Sequence, residues 1–128
     1  MAELVDDSEI NGHELLWRRI APEDLRFDPV SGPYCSDGAF RTAQMSVHVA
    51  SRTSLPSVLK NYPQHSVAEF DVGFVRSIGC IVVSDRTPDD PSHALVCRQD
   101  DPTKRLSGSQ ASRIAKSARL VVVSGIQQ

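Results

Sequence analysis

The sequence predicts a single compact α+β domain, with a mixed sheet of about five or six short strands and two or three short helices. Its 128 residues are the length of one domain. Of these residues 40% are apolar and 23% are charged, which is the composition of a globular protein with a buried core. Strand-like segments alternate irregularly with fewer helix-like ones, and this irregularity favours α+β over a regular strand–helix–strand series.

The first third of the chain predicts one strand between two irregular segments. Residues 1–12 are acidic and poor in apolar side chains, so we expect them to be loosely held and the α+β domain to occupy residues 13–128. Residues 13–20 form a short segment that carries Trp17 and is soon followed by a proline, which favours a strand over a helix. Residues 21–38 contain three prolines, and we expect a long irregular connection there.

The middle of the chain predicts a strand, a helix and a second strand. Between residues 39 and 51, apolar side chains alternate with polar or small ones, as in a half-buried strand. Thr53 or Ser54 is suited to cap a short helix that must end before Pro63. Residues 65–75 alternate again and predict the second strand.

The remainder of the chain adds three strands and one helix. Residues 78–83 are apolar on both faces, which predicts a central, buried strand. Residues 93–98 predict another short strand. Ser107 or Ser109 is suited to cap a helix, and the apolar run at residues 120–123 predicts the last strand.

The three cysteines indicate a reducing compartment. Their number is odd and no pair is separated by two residues, so neither a disulfide framework nor a thiolate zinc site is indicated. Cys80 and Cys97 lie in apolar segments and are expected to be buried, whereas Cys35 lies among turn residues and is expected to be exposed. The chain shows no signal-peptide pattern and no apolar run that is long enough to cross a membrane, so we expect a cytoplasmic protein without a membrane partner.

The distribution of charge limits the partners. A formal net charge of -2 argues against a nucleic-acid binder that is held by bulk charge. Basic side chains are nevertheless concentrated near the C-terminus, where the predicted helix carries Arg113 and Lys116 and is followed by Arg119. These residues form either a solvated face or a site for a phosphate, a nucleotide or an acidic partner.

Signature motifs of the common enzyme classes are absent from the sequence. It has no phosphate-binding P-loop, no dinucleotide-binding glycine motif, no serine-hydrolase elbow and no zinc-protease motif. The four histidines follow no ligand spacing, so we expect no metal site. The sequence therefore leaves open whether the protein is an enzyme.

Two predicted strands carry polar residues that are suited to bind a ligand. Ser46 and His48 share a strand face; they are too far apart to act as a nucleophile–base pair, but both can touch one ligand unless the face is simply solvated. Arg18 and Arg19 point to opposite faces of their strand. One of the two therefore points inward, where it needs either a buried ion pair or a bound ligand.

Two further residues complete the candidate site. Glu69 shares a strand face with Asp71, and paired carboxylates can perform acid–base work, although alternation alone equally predicts a wet face. His93 opens a strand after an acidic loop. There it either orders the turn or projects into a pocket.

The chain resembles two groups of proteins. The succession of residues 16–20 (LWRRI), 45–47, 68–70 and 91–96 is similar to that of a family of small uncharacterised bacterial proteins, and the likeness covers residues 14–123. The chain also resembles the RES and ADP-ribosyltransferase-like group, which consists of small α+β folds that bind NAD. The shared layout is an arginine on an early strand, a second strand with polar residues, and then a helix.

The second resemblance implies an NAD site. Arg18 or Arg19 would hold a phosphate or a ribose, Ser46 or His48 would line the nicotinamide pocket, and Glu69 would be the candidate acid. The sequence departs from the RES pattern in having Val47 and His48 where those proteins have a tyrosine. Residues 93–96 also lack the acid that the group often carries on a late strand.

Two functional hypotheses follow. The first is a small cytoplasmic bacterial binding or interaction protein that has no catalysis and no cofactor of its own and acts with a protein partner encoded in the same operon. The alternative is an NAD-using enzyme or nucleotide-binding domain of the ADP-ribosyltransferase-like kind, with Glu69 and His48 as catalytic residues. The alternative predicts that these two side chains, Ser46 and an arginine of the pair converge around one pocket.

Overall fold

An antiparallel sheet of six strands is the centre of the protein in the computed structural model, which describes residues 4–124. In chain order the strands are β1 (Leu15–Ile20), β2 (Leu25–Asp28), β3 (Gly32–Cys35), β4 (Met45–Val49), β5 (Ser66–Asp71), β6 (Cys80–Ser84), β7 (His93–Arg98) and β8 (Arg119–Val122). The sheet has the order β6-β7-β4-β1-β5-β8, and β2 pairs with β3 separately. The helices are α1 (Leu55–Leu59), α2 (Val72–Ser77) and α3 (Gly108–Ser117). The α+β prediction is confirmed, but every pairing in the six-stranded sheet is antiparallel, so the sheet is not mixed.

One face of the sheet carries the hydrophobic core. Alternate residues of β1, β4 and β5, including Leu16, Val47 and Phe70, point to this face and are buried. Helix α3 covers it with Ile114, and the turn at Asp37–Phe40 covers it with Phe40, whose ring meets Phe70 edge to face at 5.8 Å between ring centres. Because neighbouring residues of a strand point to opposite sides, Trp17, Arg19 and His48 belong to the other face, where the polar chemistry of the protein is found.

The capping serines that the sequence suggests mark the starts of two of the three helices. Ser54 caps α1, and its hydroxyl accepts a hydrogen bond from the backbone N–H of Ser57 at 3.3 Å. Ser107 and Gln110 form a reciprocal capping box at the start of α3. Both helices were expected from these serines, and both predictions are confirmed.

Helix α2 replaces the end of a predicted strand. The alternation of residues 65–75 predicts one strand, but β5 ends at Asp71 and α2 follows at once. The carboxylate of Asp71 accepts a hydrogen bond from the backbone N–H of Phe74 at 2.5 Å and so caps the new helix. The Gly73 backbone donates to the carbonyl of Gly12 at 3.0 Å, and a Cβ at Gly73 would lie only 3.1 Å from that oxygen. The prediction of a strand through residue 75 is wrong because this cap and this close approach end the strand.

The prediction of an irregular connection over residues 21–38 is also wrong, because the β2–β3 hairpin lies within it. The carboxylate of Asp28 accepts hydrogen bonds from the backbone N–H groups of Val30 at 2.7 Å and Ser31 at 3.1 Å, and Gly32 has a φ of 87°. These contacts close the turn between the strands. Cys35 at the end of β3 is buried in the core, so the expectation that it is exposed is wrong, whereas Cys80 and Cys97 are buried as predicted.

The predicted central strand at residues 78–83 is instead the edge strand β6. The part of the acidic N-terminal segment that the structure describes runs along it. Asp7 donates its backbone N–H to the carbonyl of Val82 at 2.8 Å, and the Asp6 carboxylate accepts from the Val82 N–H at 2.9 Å. Ile10 of the same segment is fully buried in the core. The N-terminal segment therefore covers the backbone edge of β6 and pairs hydrogen-bonding groups that the edge strand would otherwise leave open.

The pairing of β1 with β4 is the feature of the fold that positions the site. Trp17 lies opposite His48, and Leu16 lies opposite Val49. This register brings the two arginines of β1 beside the strand that carries the hydroxyl and imidazole residues. Among the helices of residues 4–124, none is long and apolar enough to cross a membrane.

Candidate functional site

A cleft of about 580 Å³ opens on the face of the sheet opposite to the core, between the sheet, the segment around α1 and the loop before β7. Its size is typical of small-ligand sites. Its lining is mostly polar and includes three cationic side chains and three hydroxyl groups: Arg19, Arg52, Lys60, Thr53, Ser54 and Ser57. We refer to this space as the cleft.

A chain of hydrogen bonds runs from the cleft into the protein through His48. Nε2 of His48 lies 3.1 Å from Nη1 of Arg19, and Nδ1 lies 3.0 Å from the hydroxyl of Ser92. The Ser92 hydroxyl donates to the Asp90 carboxylate at 2.6 Å, and the second oxygen of that carboxylate lies 3.4 Å from Nδ1 of His48. Ser92 is fully buried and His48 is nearly so, so the two central members of this hydrogen-bond chain are shielded from water, whereas Asp90 at its end is partly exposed.

These contacts fix the protonation of His48. A guanidinium group can only donate hydrogen bonds, so Nε2 of His48 must accept from Arg19 and therefore carries no proton. The proton of the neutral ring then lies on Nδ1 and is donated towards Ser92 and Asp90. Burial, followed by the positive charge of Arg19, lowers the pKa of His48 against the opposing influence of Asp90.

Arg19 connects the sheet to the segment around α1. Its Nη1 donates to the carbonyl of Val58 at 3.2 Å, and its guanidinium carbon lies 3.9 Å from the centre of the Tyr62 ring. The second contact is a cation–π interaction. Arg19 is thus held at the wall of the cleft by neutral partners, and no carboxylate within the described residues forms an ion pair with it.

Arg52 has the most unusual environment in the cleft. It ends the short 3-10 turn at Ala50–Arg52, which follows β4 directly. Its Nη1 is buried, and among residues 4–124 it is the one buried side-chain nitrogen or oxygen that has no hydrogen-bond partner. A buried donor without an acceptor is costly, and more so when it is charged.

The acidic residues of the cleft do not neutralise it. Asp90 is engaged by Ser92 and His48. Burial opposes its ionisation, but the hydrogen bonds from Ser92 and the nearby His48 and His93 rings together outweigh burial and lower the pKa of Asp90. Asp89 is exposed at the rim. With His48 neutral, three cationic side chains face two carboxylates in the cleft, which therefore has a net positive charge.

The structure brings several sequence-predicted residues into one row across the sheet. The row passes over five neighbouring strands, and each member lies opposite the next: His93, His48, Trp17, Glu69 and Arg119. His93 is bonded to Asp85 at 2.9 Å. Glu69 accepts from the indole N–H of Trp17 at 2.9 Å and from Arg119 at 2.7 Å. Of these five, only His48 lines the cleft.

Arg18 is the arginine that points inward, and it has neither a close carboxylate partner nor a place in the cleft. It donates to the carbonyl of Ala39 at 2.8 Å and to that of Ser46 at 2.9 Å. Burial lowers the pKa of Arg18 to about 10, although Asp24 opposes this. Arg18 thereby ties β1 to β4 and to the turn at Asp37–Phe40. The Ser46 side chain is exposed, and with the two arginines it lines a separate cavity of about 230 Å³.

The basic residues near the C-terminus do not form a cluster around a ligand-sized cavity. Arg113 and Lys116 are exposed on α3, and Arg119 is bonded to Glu69. Lys116 lines a cavity of about 470 Å³ beside the β2–β3 hairpin, which Arg113 and Arg119 do not line. The structure therefore gives no geometry that assigns a nucleotide to these three residues.

Sequence reasoning missed four residues of the cleft network: Arg52, Tyr62, Asp90 and Ser92. Asp90 accepts from both the backbone N–H and the hydroxyl of Ser92, which is a local turn that the order Asp-Pro-Ser could have suggested. Arg52 and Tyr62 carry no such local signal. They reach the cleft only because the chain folds back over β4.

Within residues 4–124, no three metal-ligating side chains lie close enough together to hold a metal ion. Comparisons of the chain with protein-family models, with curated proteins and with solved structures found no match.

Proposed function

We propose that the protein is a binding domain without catalysis of its own and that it recognises a small phosphate-bearing anion in the cleft. Arg52 carries this proposal, because it lines the cleft, is half-buried, and has a buried Nη1 without a partner among the described residues. Buried polar atoms nearly always have a hydrogen-bond partner, so this exception calls for an acceptor that the described chain does not supply. An anionic oxygen is the acceptor that a guanidinium group binds most strongly.

The remaining chemistry of the cleft supports an anion of this size. Arg19 and Lys60 add positive charge, and the hydroxyl of Ser57, which accepts from that of Ser54 at 3.1 Å, can donate to a phosphate oxygen. Arg19 stacks on Tyr62 and so keeps its orientation without a carboxylate that would compete with a ligand. The volume leaves room for more than a phosphate group alone.

The same geometry favours binding over catalysis. Ser92 is the hydroxyl beside His48, but it is fully buried and donates to Asp90, so it is not placed to attack a ligand. Glu69 is bonded to Trp17 and Arg119 outside the cleft. The alternative of an NAD-using enzyme would need such an acid beside the ligand.

We also propose that the domain acts in a bacterial cytoplasm and binds a protein partner through the exposed side of α3, which lies on the other side of the sheet from the cleft. Three buried free thiols, Cys35, Cys80 and Cys97, suit a reducing compartment. The exposed Arg113 and Lys116 on α3 suit an acidic partner surface.

The test is equilibrium unfolding in the presence of inorganic phosphate, with chloride at equal ionic strength as the reference. A ligand at ten times its dissociation constant adds about 1.4 kcal/mol to the free energy of unfolding. We expect this stabilisation for the wild type and for Arg113→Met, whose side chain lies outside the cleft, but not for Arg52→Met.

Two outcomes would contradict the proposal. Equal stabilisation by phosphate and chloride would show that no specific anion site exists. If Arg113→Met and Arg52→Met lost the stabilisation by phosphate to the same extent, that stabilisation would arise from the overall positive charge of the protein and not from the cleft. A parallel titration with NAD separates the alternative, since an enzyme of that kind would also consume the cofactor.

A further inference from the structure

We propose that the cleft binds its anion together with a proton, which is taken up at Nε2 of His48. The inference rests on the function proposed above and adds its regulation, because binding then tightens as the pH falls. The observation behind it is that Nη1 of Arg19 lies 3.1 Å from Nε2 of His48. Because a guanidinium group can only donate, Nε2 must accept and therefore carries a lone pair.

The hydrogen bonds around His48 all run in one direction. Arg19 donates to Nε2 at 3.1 Å, Nδ1 donates to Ser92 at 3.0 Å, and Ser92 donates to Asp90 at 2.6 Å. The chain thus starts at a cation in the cleft and ends at a carboxylate. Nδ1 keeps its partners Ser92 and Asp90 whether the ring is neutral or charged, so only the contact at Nε2 depends on protonation.

Protonation of Nε2 places two donors 3.1 Å apart, one on His48 and one on Arg19. This contact becomes repulsive unless an acceptor enters between the two groups. An oxygen of a phosphate or sulfate ion is such an acceptor, because it can take both N–H groups at once. Arg19 stays anchored meanwhile by the Val58 carbonyl and the Tyr62 ring. The anion and the proton therefore favour each other's binding.

The charged groups that face His48 set the direction of this coupling. Asp90, from the loop before β7, favours the protonated ring, whereas Arg19 on β1 and His93 on β7 disfavour it. The His93 ring centre lies 5.7 Å from that of His48, and Nδ1 of His93 lies 2.9 Å from the Asp85 carboxylate. Without a ligand, burial and the repulsion from Arg19 prevail, so the pKa of His48 lies below its usual value. An anion that neutralises Arg19 removes that repulsion and raises the pKa.

Sulfate is the probe for the experiment because its charge, unlike that of phosphate, stays constant from about pH 5.5 to about pH 8. Isothermal titration calorimetry in two buffers of different ionisation enthalpy reports both the affinity and the number of protons taken up. We expect the affinity to rise as the pH falls, by up to about tenfold per pH unit, with uptake of up to one proton.

Two variants identify the titrating group. His48→Gln should lose the pH dependence and the proton uptake. His13→Gln, which replaces an exposed histidine outside the cleft, should keep both. Saturable sulfate binding that is independent of pH overturns this inference but leaves the proposed function standing. A pH dependence that survives in His48→Gln has the same two consequences. Absence of saturable binding at every pH overturns both proposals.

A spectroscopic measurement on the wild type keeps the test valid if His48→Gln does not fold. Long-range proton–nitrogen NMR distinguishes the two imidazole nitrogens of His48. We expect a bare Nε2 in the free protein near neutral pH, and a protonated Nε2 at the same pH in saturating sulfate. A ring that stays neutral when sulfate is bound contradicts the inference.

Discussion

Replacing Arg52 by methionine is expected to stabilise the free protein while it removes anion binding. In the wild type the buried Nη1 of Arg52 has no acceptor, so folding takes a charged donor away from water without replacing its hydrogen bond. Methionine keeps much of the apolar stem and has no donor. The change therefore removes a destabilising feature of the ligand-free state together with the group that binds the ligand.

The magnitude follows from the half-buried position of Arg52. An unsatisfied buried polar group costs about 1–3 kcal/mol. Because part of the Arg52 side chain reaches solvent, the lower end of that range applies, and we expect a gain of about 1 kcal/mol in the free energy of unfolding. For a domain of this size, such a gain raises the melting temperature by roughly 3–5 °C.

The assay is urea unfolding, followed by circular dichroism, of the wild type and Arg52→Met with and without phosphate. At ten times the dissociation constant, phosphate should add about 1.4 kcal/mol to the wild type and almost nothing to the variant. Without phosphate, Arg52→Met should therefore unfold at a higher urea concentration than the wild type. With phosphate, the wild type should unfold at the higher concentration. This change of order is typical of residues that serve function at the expense of stability.

If Arg52→Met without ligand were less stable than the wild type by more than about 1 kcal/mol, Arg52 would be a structural residue and would not destabilise the free protein. Arg52 would likewise not be the residue that binds the anion if the variant bound phosphate with the affinity of the wild type. Arg113→Met controls for the loss of one positive charge. It should change neither the free energy of unfolding of the free protein nor the stabilisation by phosphate.

Three further predictions concern the fold. Burial raises the pKa of the Cys35 and Cys80 thiols to about 11, so native protein should resist alkylation by iodoacetamide at about pH 8, as mass spectrometry can show. The pKa of His48 is lowered by folding, so the unfolded chain binds the proton first and the free energy of unfolding should fall as the pH drops below about 6.5. Asp6→Ala removes the acceptor for the Val82 N–H and should cost about 1–2 kcal/mol in urea unfolding.

Each of these predictions has a result that contradicts it. Labelling of the native thiols as fast as in urea would show that they are exposed. An unfolding free energy that falls equally below about pH 6.5 in His48→Gln would assign the pH dependence to another group. An Asp6→Ala protein as stable as the wild type would show that the N-terminal segment does not protect the edge of β6.

The parts of the fold that sequence predicts well are those with local causes. Ser54 and Ser107 start their helices through hydrogen bonds to residues three positions later, so the capping signal lies within a few residues of sequence. The hairpin at Leu25–Asp28 and Gly32–Cys35 was missed because its prolines suggested an irregular loop. Pro33 is tolerated there because the two-stranded sheet leaves it on an outer edge.

The position of β6 in the sheet shows a second limit of prediction from sequence. Hydrophobic alternation reports which side chains are buried but not what buries them, so a strand covered by a distant segment resembles a central one. Here the covering residues, Asp6 and Asp7, are far away in sequence. No local pattern could connect them with β6.

Only part of the candidate site could be predicted, because local sequence patterns do not report long-range contacts. The sequence predicts a strand with the Arg18–Arg19 pair and a strand with His48 without deciding which arginine meets the imidazole, and the structure pairs the two strands and joins Arg19 to His48 by a hydrogen bond. Arg52 and Asp90 come from a turn and a loop, where periodicity carries no information. Their convergence on the cleft depends on the long-range pairing of β4 with β1 and β7.

Locating an anion in crystals of the protein shows directly whether the cleft is an anion-binding site. Selenate resembles sulfate in shape and charge, and its selenium atom is identified by anomalous scattering. We expect an anomalous peak in the cleft, at a position that puts the selenate oxygens within hydrogen-bond reach of Arg52, Arg19 and His48. A peak confined to Arg113 and Lys116 on α3, or a cleft without selenate at saturating concentration, would contradict this expectation.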